Sequence, residues 1–410
     1  MNYQFHINTD SKSFDAFVEE HEYASILQEC KWAQIKDNWG HHFVSVTLDD
    51  AIVATAMVLV KEMPLGFKLF YIPRGPVMDY KNEDLVKYFF SELKKFAKKQ
   101  QAICVKFDPL VIYNSFLLKN KEERQSGVHE TTELLKSIGI HHYGYNFNMY
   151  EVTQPRTQAV FYYFDNWQQE YSVNLKKNLT RAKNKGVQVR QANKDELSIF
   201  ADLLKKTGDR KGVALRNQEY FEKLANVYKE ECAVFLTYIN QKELLQEAQD
   251  KLNKIQEDLI ANPKSEKKMA PIRQTILGLE NEIERLTKNI AIDGDIAYIS
   301  GSLICKDKYT SELLYAGMDE KYNKYYGSYV SYLRAIEWAY EQGCKKCNFG
   351  GVQGTLDDGL TSFKETFLPY FEDYLGEFDL PVMPLCYRMF NVALPMAKKV
   401  IRGISSWKRS

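Results

Sequence analysis

The segment from Lys242 to Ile290 constrains the fold of this chain more than any other. It holds no aromatic residue, one glycine and two prolines, in a protein that carries 27 Tyr and 23 Phe. Leu245, Ala248, Leu252, Ile255 and Leu259 step by three and four, as do Ile272, Ile276, Leu279, Ile283, Leu286 and Ile290; both runs are heptad seams. Asn262-Pro263 falls between them, and a proline there ends a helix. The segment therefore reads as an antiparallel coiled-coil hairpin with arms of about 20 residues, roughly 30 Å each at the helical rise. An amphipathic hairpin lying flat on a core is the alternative, but seams this regular on both arms favour a projecting coiled coil.

On either side, CAVFLTYIN (232–240) and DIAYISGSLIC (295–305) read as β-strands rich in Val, Ile, Tyr and Phe. The hairpin thus interrupts a β-turn, where insertions are tolerated. With it removed, a repeat emerges. FVSVTLDD, AIVATAMVLV, FKLFYIPRGPV, the helix EDLVKYFFSELKKFAKKQ and AICVKFDP are matched by AVFLTYIN, AYISGSLIC, SELLYAGMDE, the helix GSYVSYLRAIEWAYEQ and KKCNFGG. Both runs go strand, strand, strand, helix, strand, which predicts two copies of one α/β module. A length of 410 residues accommodates two or three domains.

Other features narrow the function. A net charge of +1 gives no global pull toward nucleic acid, so any such contact must be local. No apolar run approaches the roughly 18 residues of a spanning helix. The start, MNYQFHINTDSKSFDAF, lacks a basic region followed by an apolar stretch, so a cytoplasmic location is expected. Seven scattered cysteines, an odd number, suit reduced thiols. Cys344 and Cys347 form a C-x-x-C, but no second Cys or His pair lies at ligand spacing, and no metal is expected.

Eight motifs, in order, carry a resemblance: QECKWAQIKDNW, FYIPRGPVMDY, VKFDP, TQPR, RNQEYF, YAGMDEKYNKYYGSY, NFGGVQG and FKETF. Across nearly the whole chain this order resembles the FemABX family of peptidoglycan bridge-forming aminoacyltransferases. Within it, the hairpin and the IPRGP segment are most similar to the MurM-type enzymes that start the bridge on lipid II. The resemblance implies an α/β fold of two acetyltransferase-like (GNAT) modules in tandem, with the coiled coil inserted in the second. The corresponding division is 1–152 for the first module, 153–240 with 292–380 for the second, 241–291 for the hairpin and 381–410 for a basic amphipathic C-terminal segment. The activity implied is transfer of an amino acid from aminoacyl-tRNA to the stem-peptide lysine amine of lipid II or of the soluble UDP-MurNAc-pentapeptide. The enzyme would need no cofactor, act as a monomer and sit peripherally on the inner membrane face.

The same resemblance assigns residues. Lys36 matches a lysine that binds the precursor's phosphates, for which a cation is chemically apt. Arg216 and Tyr220 match the pair that holds its sugar-phosphate part; a spacing of four on a helix would put both on one face. Tyr315 and Asp108 match residues lining the precursor cleft, each expected near a strand end. Asp108 is also a candidate proton acceptor, with the turn before Pro109 as its structural alternative. Lys364, with Phe363, matches the pair near the aminoacyl-tRNA end, where a lysine can bind phosphate and stabilise an oxyanion. No Ser-His-Asp or Cys-His set is apparent, so transfer is expected to be direct.

Two stretches stand on composition alone. NLKKNLTRAKNKGVQVR places Lys176, Lys177, Arg181, Lys183, Lys185 and Arg190 together without an acid, which suits phosphate neutralisation. The C-terminal stretch interleaves Phe390, Leu394, Val400, Ile401 and Trp407 with Arg388, Lys398, Lys399, Arg402, Lys408 and Arg409, a pattern drawn to anionic lipid or packed on the last domain. An acetyl-CoA-dependent acyltransferase is the runner-up enzyme, although no Gly-rich pyrophosphate turn opens a helix. A non-enzymatic RNA-binding coiled-coil adaptor is the other alternative.

Overall fold

A computed structural model describes residues 2–213 and 215–392. They form two eight-stranded mixed sheets. In the first, Gly40–Leu48, Ala51–Glu62 and Lys68–Ile72 run antiparallel, and the helix Glu83–Lys99 leads to Ala102–Phe107, which lies parallel to Lys68–Ile72. In the second, Cys232–Asn240, Ile296–Lys306 and Thr310–Met318 run antiparallel, and the helix Gly327–Glu341 leads to the parallel strand Lys346–Gly351. The expected repeat is therefore present as two GNAT-like modules.

Local chemistry sets these elements. The Asn82 side chain accepts the Leu85 N–H at the start of Glu83–Lys99, and Glu83 and Asp84 occupy its first turn, the arrangement that satisfies and charge-complements a helix N-terminus. Its apolar face, including Phe89, Phe90 and Leu93, is buried on the sheet.

The sheets also exchange strands. Ile112–Leu117 leaves the first half and pairs with Tyr370–Tyr374 in the second sheet. Phe378–Pro381 returns from the far end of the chain to pair with Ala102–Phe107 in the first. A cut at residue 152 therefore does not separate the sheets: each takes in a strand from the other half of the sequence, at the edge of the second sheet and between Ala102–Phe107 and His141–His142 in the first. A shared core adds to this, with Phe14, Trp32, Met57 and Leu59 packed in one cluster with Phe200, Phe221, Leu236 and Leu303.

The insert is a helical hairpin of Gln241–Ala261 and Glu266–Asp293. Leu252, Ile255, Leu259, Ile272, Ile276, Leu279 and Ile283 are half-buried while most residues between them are exposed, as expected of a seam that only one partner helix covers. Ala248 and Leu286, nearer the base, are fully buried. At the other extreme of the chain, residues 384–392 are helical, and Tyr387 and Phe390 pack on Ile103 and Cys104. Leu394, Lys398, Lys399, Val400, Ile401, Arg402, Trp407, Lys408 and Arg409 lie outside the described residues. Among the described residues no helix is long and apolar enough to cross a membrane.

Candidate functional site

A cleft of about 690 Å³ opens where the modules meet, lined by Lys36, Trp39, Tyr71, Gln154, Arg216 and Tyr220 among others. The helix Cys30–Ile35 buries Trp32, Ala33 and Ile35, so Lys36, at its end, is delivered to the rim. Its Nζ lies 5.2 Å from the Trp32 ring and 5.8 Å from that of Tyr220. From the other module, the Arg216 guanidinium stands 5.0 Å from the same Tyr220 ring, within cation–π range. Tyr315 donates its hydroxyl to Tyr220 Oη at 3.3 Å. Burial, and then the positive charge of Arg216, push the Lys36 ammonium down to about 8. Two cations that repel each other beside aromatic faces are chemically suited to an anion, whose arrival would relieve the repulsion.

Two expectations need correction. Arg216 is not on the helix with Tyr220: Asn217 caps Gln218–Tyr228, its side chain accepting the Tyr220 N–H, so the helix begins after Arg216. The pair still meets, through stacking rather than helical spacing. Tyr315 is also not at a strand end; it sits inside Thr310–Met318, opposite Leu303.

Asp108 follows Ala102–Phe107 and is 2% exposed. Tyr71 donates to its Oδ2 at 2.7 Å, and the Arg74 N–H donates to its Oδ1 at 2.8 Å. Its carboxylate thus serves Tyr71 and Arg74 rather than a local turn at Pro109. Burial raises the Asp108 carboxyl to about 6, against the opposing pull of the Arg74 charge. Arg74 has a φ of 56°, a left-handed conformation that costs a non-glycine residue about 1 kcal/mol or more, and the bond to Asp108 holds it. A Cβ on the next residue, Gly75, would lie 2.6 Å from the buried Gln28 side chain, which would have to shift to admit it. Tyr71 lines the cleft and Asp108 does not, so Asp108 stands one hydroxyl behind the surface.

Lys364 is placed differently from Lys36. It is 4% exposed, and its Nζ donates to the carbonyls of Gly350 and Gly351, both at 2.9 Å. Burial drives its ammonium down to about 7, with Asp358 opposing and Lys211 reinforcing the shift. Phe363 packs on Tyr329 and Tyr332 at centroid distances of 4.9 and 5.1 Å. Neither Lys364 nor Phe363 lines the large cleft. They connect to it through Pro155, which abuts Gly351 so closely that a Cβ there would fall 2.3 Å away, and whose carbonyl accepts from Arg74 Nη2 at 3.1 Å.

The basic cluster lies on the helix Val173–Asn184 and the turn after it. Lys176, Lys177, Arg181, Lys183 and Lys185 are exposed, and none is in an ion pair among the described residues. Arg190 is not part of this surface, because Glu196 and Tyr298 take up its guanidinium. Arg181 donates to Tyr326 Oη at 3.2 Å. Lys185 and the hairpin residue Arg285 both stand over Tyr325, at 5.3 and 5.6 Å, which joins the coiled-coil base to the basic helix.

Tyr71, Arg74 and Gln154 escaped assignment from sequence although they lie in FYIPRGPVMDY and TQPR. The signal was the motif itself; which of its side chains faces a cleft depends on the turn at Arg74 and Gly75.

The fold and site define a double acyltransferase-type module with a cleft between its halves that Lys36 and Arg216 line. A model of the FemAB family matches residues 9–394. Aminoacyltransferase FemA of Staphylococcus aureus strain MRSA252 is 26% identical over 406 residues, covering 94% of this chain and 97% of that protein. FemA of strain N315 is 25% identical with the same coverage. The crystal structure of FemX, 24% identical, aligns with a TM-score of 0.73 over 95% of this chain and 99% of that one. The chain belongs to the FemAB family. It is accordingly an aminoacyltransferase acting on peptidoglycan precursors.

Proposed function

We propose that the chain transfers an amino acid from aminoacyl-tRNA to the side-chain amine of the stem-peptide lysine of lipid II, starting or building the interpeptide bridge. The observation that carries this reading is the convergence of Lys36 and Arg216, one from each module, on the ring of Tyr220, a receptor suited to the pyrophosphate of a precursor. The acceptor amine, with an ordinary pKa of about 10.4, must lose a proton to attack. Direct transfer then forms the amide as the ester to the tRNA ribose breaks. Lys364 belongs to the donor side in this reading: with two N–H bonds fixed on carbonyls, its protonated form has a third to offer a developing oxyanion.

The basic surface from Lys176 to Lys185 supplies the phosphate contacts for tRNA. A lipid-borne acceptor also asks for a membrane-facing element. Leu385, Met389 and Val392, at i, i+4 and i+7 of the last described helix, are 75%, 73% and 65% exposed, an apolar stripe within the described part of the basic amphipathic C-terminal segment.

A transfer assay with a panel of charged tRNAs and with both lipid-linked and UDP-linked acceptors tests this directly. Transfer to the lysine amine, faster with the lipid-linked form, is expected. Failure with every charged tRNA, or modification from acetyl-CoA instead, would sink the reading.

A further inference from the structure

The cleft wall contains a hydrogen-bonded pair that joins Asp108, the candidate proton acceptor of the sequence analysis, to Tyr71, for which no role has yet been given. Asp108 is closed off from the cleft, and both of its oxygens are occupied: one by Tyr71 Oη at 2.7 Å, the other by the Arg74 N–H at 2.8 Å. Tyr71 itself is 8% exposed, and it is the side chain through which this pair meets the cleft. No cleft-bound amine can therefore touch Asp108 without first meeting the Tyr71 hydroxyl.

We propose that Tyr71 is a catalytic residue of the transfer reaction, relaying a proton between the acceptor amine and the buried Asp108 carboxylate. This rests on the aminoacyl-transfer reading above. The amine, made neutral by losing its ammonium proton to solvent before the step, attacks the ester carbonyl carbon through nitrogen, and a C–N bond forms as the carbonyl oxygen takes up the π electron pair. As the nitrogen gives up one proton to Tyr71 Oη, Tyr71 passes its own hydroxyl proton to Asp108 Oδ2. The tetrahedral intermediate then collapses, the bond from carbon to ribose oxygen breaks, and the proton returns through the same hydroxyl to that oxygen. Tyr71 and Asp108 finish in their starting states.

The surroundings suit this task. Tyr71 holds its own proton firmly, since burial and the adjacent Asp108 raise its hydroxyl well above the usual range, so it serves as a conduit rather than a store. Asp108 can store the proton, because burial already brings its carboxyl to about 6. The groups facing the pair are few. The Arg74 charge favours the carboxylate, Glu377 disfavours it, Tyr80 senses it from the next turn, and Tyr374 lies under the Arg74 guanidinium at 5.7 Å. On the cleft side Gln154 is within reach of Tyr71. The rate should therefore fall as pH drops through about 6, where Asp108 arrives already protonated and cannot accept.

The test is single-turnover transfer by full-length Tyr71→Phe, Asp108→Asn and the double variant, with precursor affinity measured in parallel by titration. Each single change should slow transfer by at least about a hundredfold, the scale of general-base catalysis, and abolish the acid limb near pH 6 with precursor affinity retained. The double variant should be no slower than either single one, because both remove one pathway. A Tyr71→Phe enzyme at wild-type rate, or losses that multiply in the double variant, would overturn the relay. Should Tyr71→Phe not fold, a proton inventory on the wild type decides: two protons in flight give a curved dependence on deuterium content, and a straight line refutes the relay. A wild type that transfers nothing from any aminoacyl-tRNA would instead refute the underlying function, which keeps the two failures distinct.

Discussion

The two modules share a topology but treat its central parallel junction in opposite ways. In the first, Lys68–Ile72 stays paired with its parallel partner through Ile72 and Phe107, and the closed end carries the acidic group, Asp108. In the second, pairing runs only from Thr310 to Glu312 against Lys346 to Asn348, after which the strands part. Carbonyls released from a ladder need other partners, and those of Gly350 and Gly351 receive the amine of Lys364. One junction is zipped and ends on a buried carboxyl group; the other is open and ends on a buried lysine. A duplicated scaffold has thus been given two chemical ends, with Pro155 wedged between them.

The largest effect is expected at the open junction. Lys364→Met keeps the length of the side chain without its amine and should lower kcat by about a hundredfold or more, as loss of one oxyanion donor does elsewhere, with precursor KM nearly unchanged. Wild-type turnover would erase the distinction between the junctions. On the acceptor side the effect should appear in KM instead: Arg216→Ala removes a charge-assisted contact worth roughly 1.5–3 kcal/mol, raising precursor KM by about tenfold or more with kcat largely preserved. An unchanged precursor titration would disprove the clamp.

A pH series sharpens the same contrast. Lys36, held down to about 8, is charged below that value and neutral above it, so precursor affinity should weaken between pH 7 and 9, by up to about tenfold if only the charged form binds. Lys36→Gln should flatten that dependence; a steep dependence surviving in the variant would point to another group. The smallest effect on turnover belongs to the basic helix. Replacing Lys176, Lys177 and Arg181 by Gln should leave kcat at saturating tRNA near wild type while the slope of log affinity against log salt shrinks by roughly 0.7–0.9 per lost contact. An unaltered slope would return these residues to the solvated surface.

What the sequence disclosed follows from which signals are periodic. The hairpin seam and the antiparallel strands were readable because burial repeats along them at 3.5 and 2 residues. Ile112–Leu117 and Phe378–Pro381 gave no hint of their exchange, since a strand of six or four residues does not record which distant edge it pairs with. Arg216 was misplaced onto a helix because a spacing of four is also satisfied by a residue before the cap that folds back onto Tyr220. Lys364 could be recognised by its neighbours in FKETF, but its burial on two glycine carbonyls arises only when the turn after Gly351 closes. The partnership of Tyr71 with Asp108 spans 37 residues and depends on the left-handed turn at Arg74, which no propensity favours for arginine.

The exchanged strands also have a consequence in time. During synthesis, Ala102–Phe107 leaves the ribosome long before Phe378–Pro381, its partner on one side. At about 5–20 residues per second the intervening chain takes roughly 15 to 55 seconds to make. For that interval one flank of the first sheet has no native neighbour, so the nascent chain must be guarded there by the ribosome, by chaperones or by a provisional pairing. The N-terminal module is thus the first to be made and among the last to be finished.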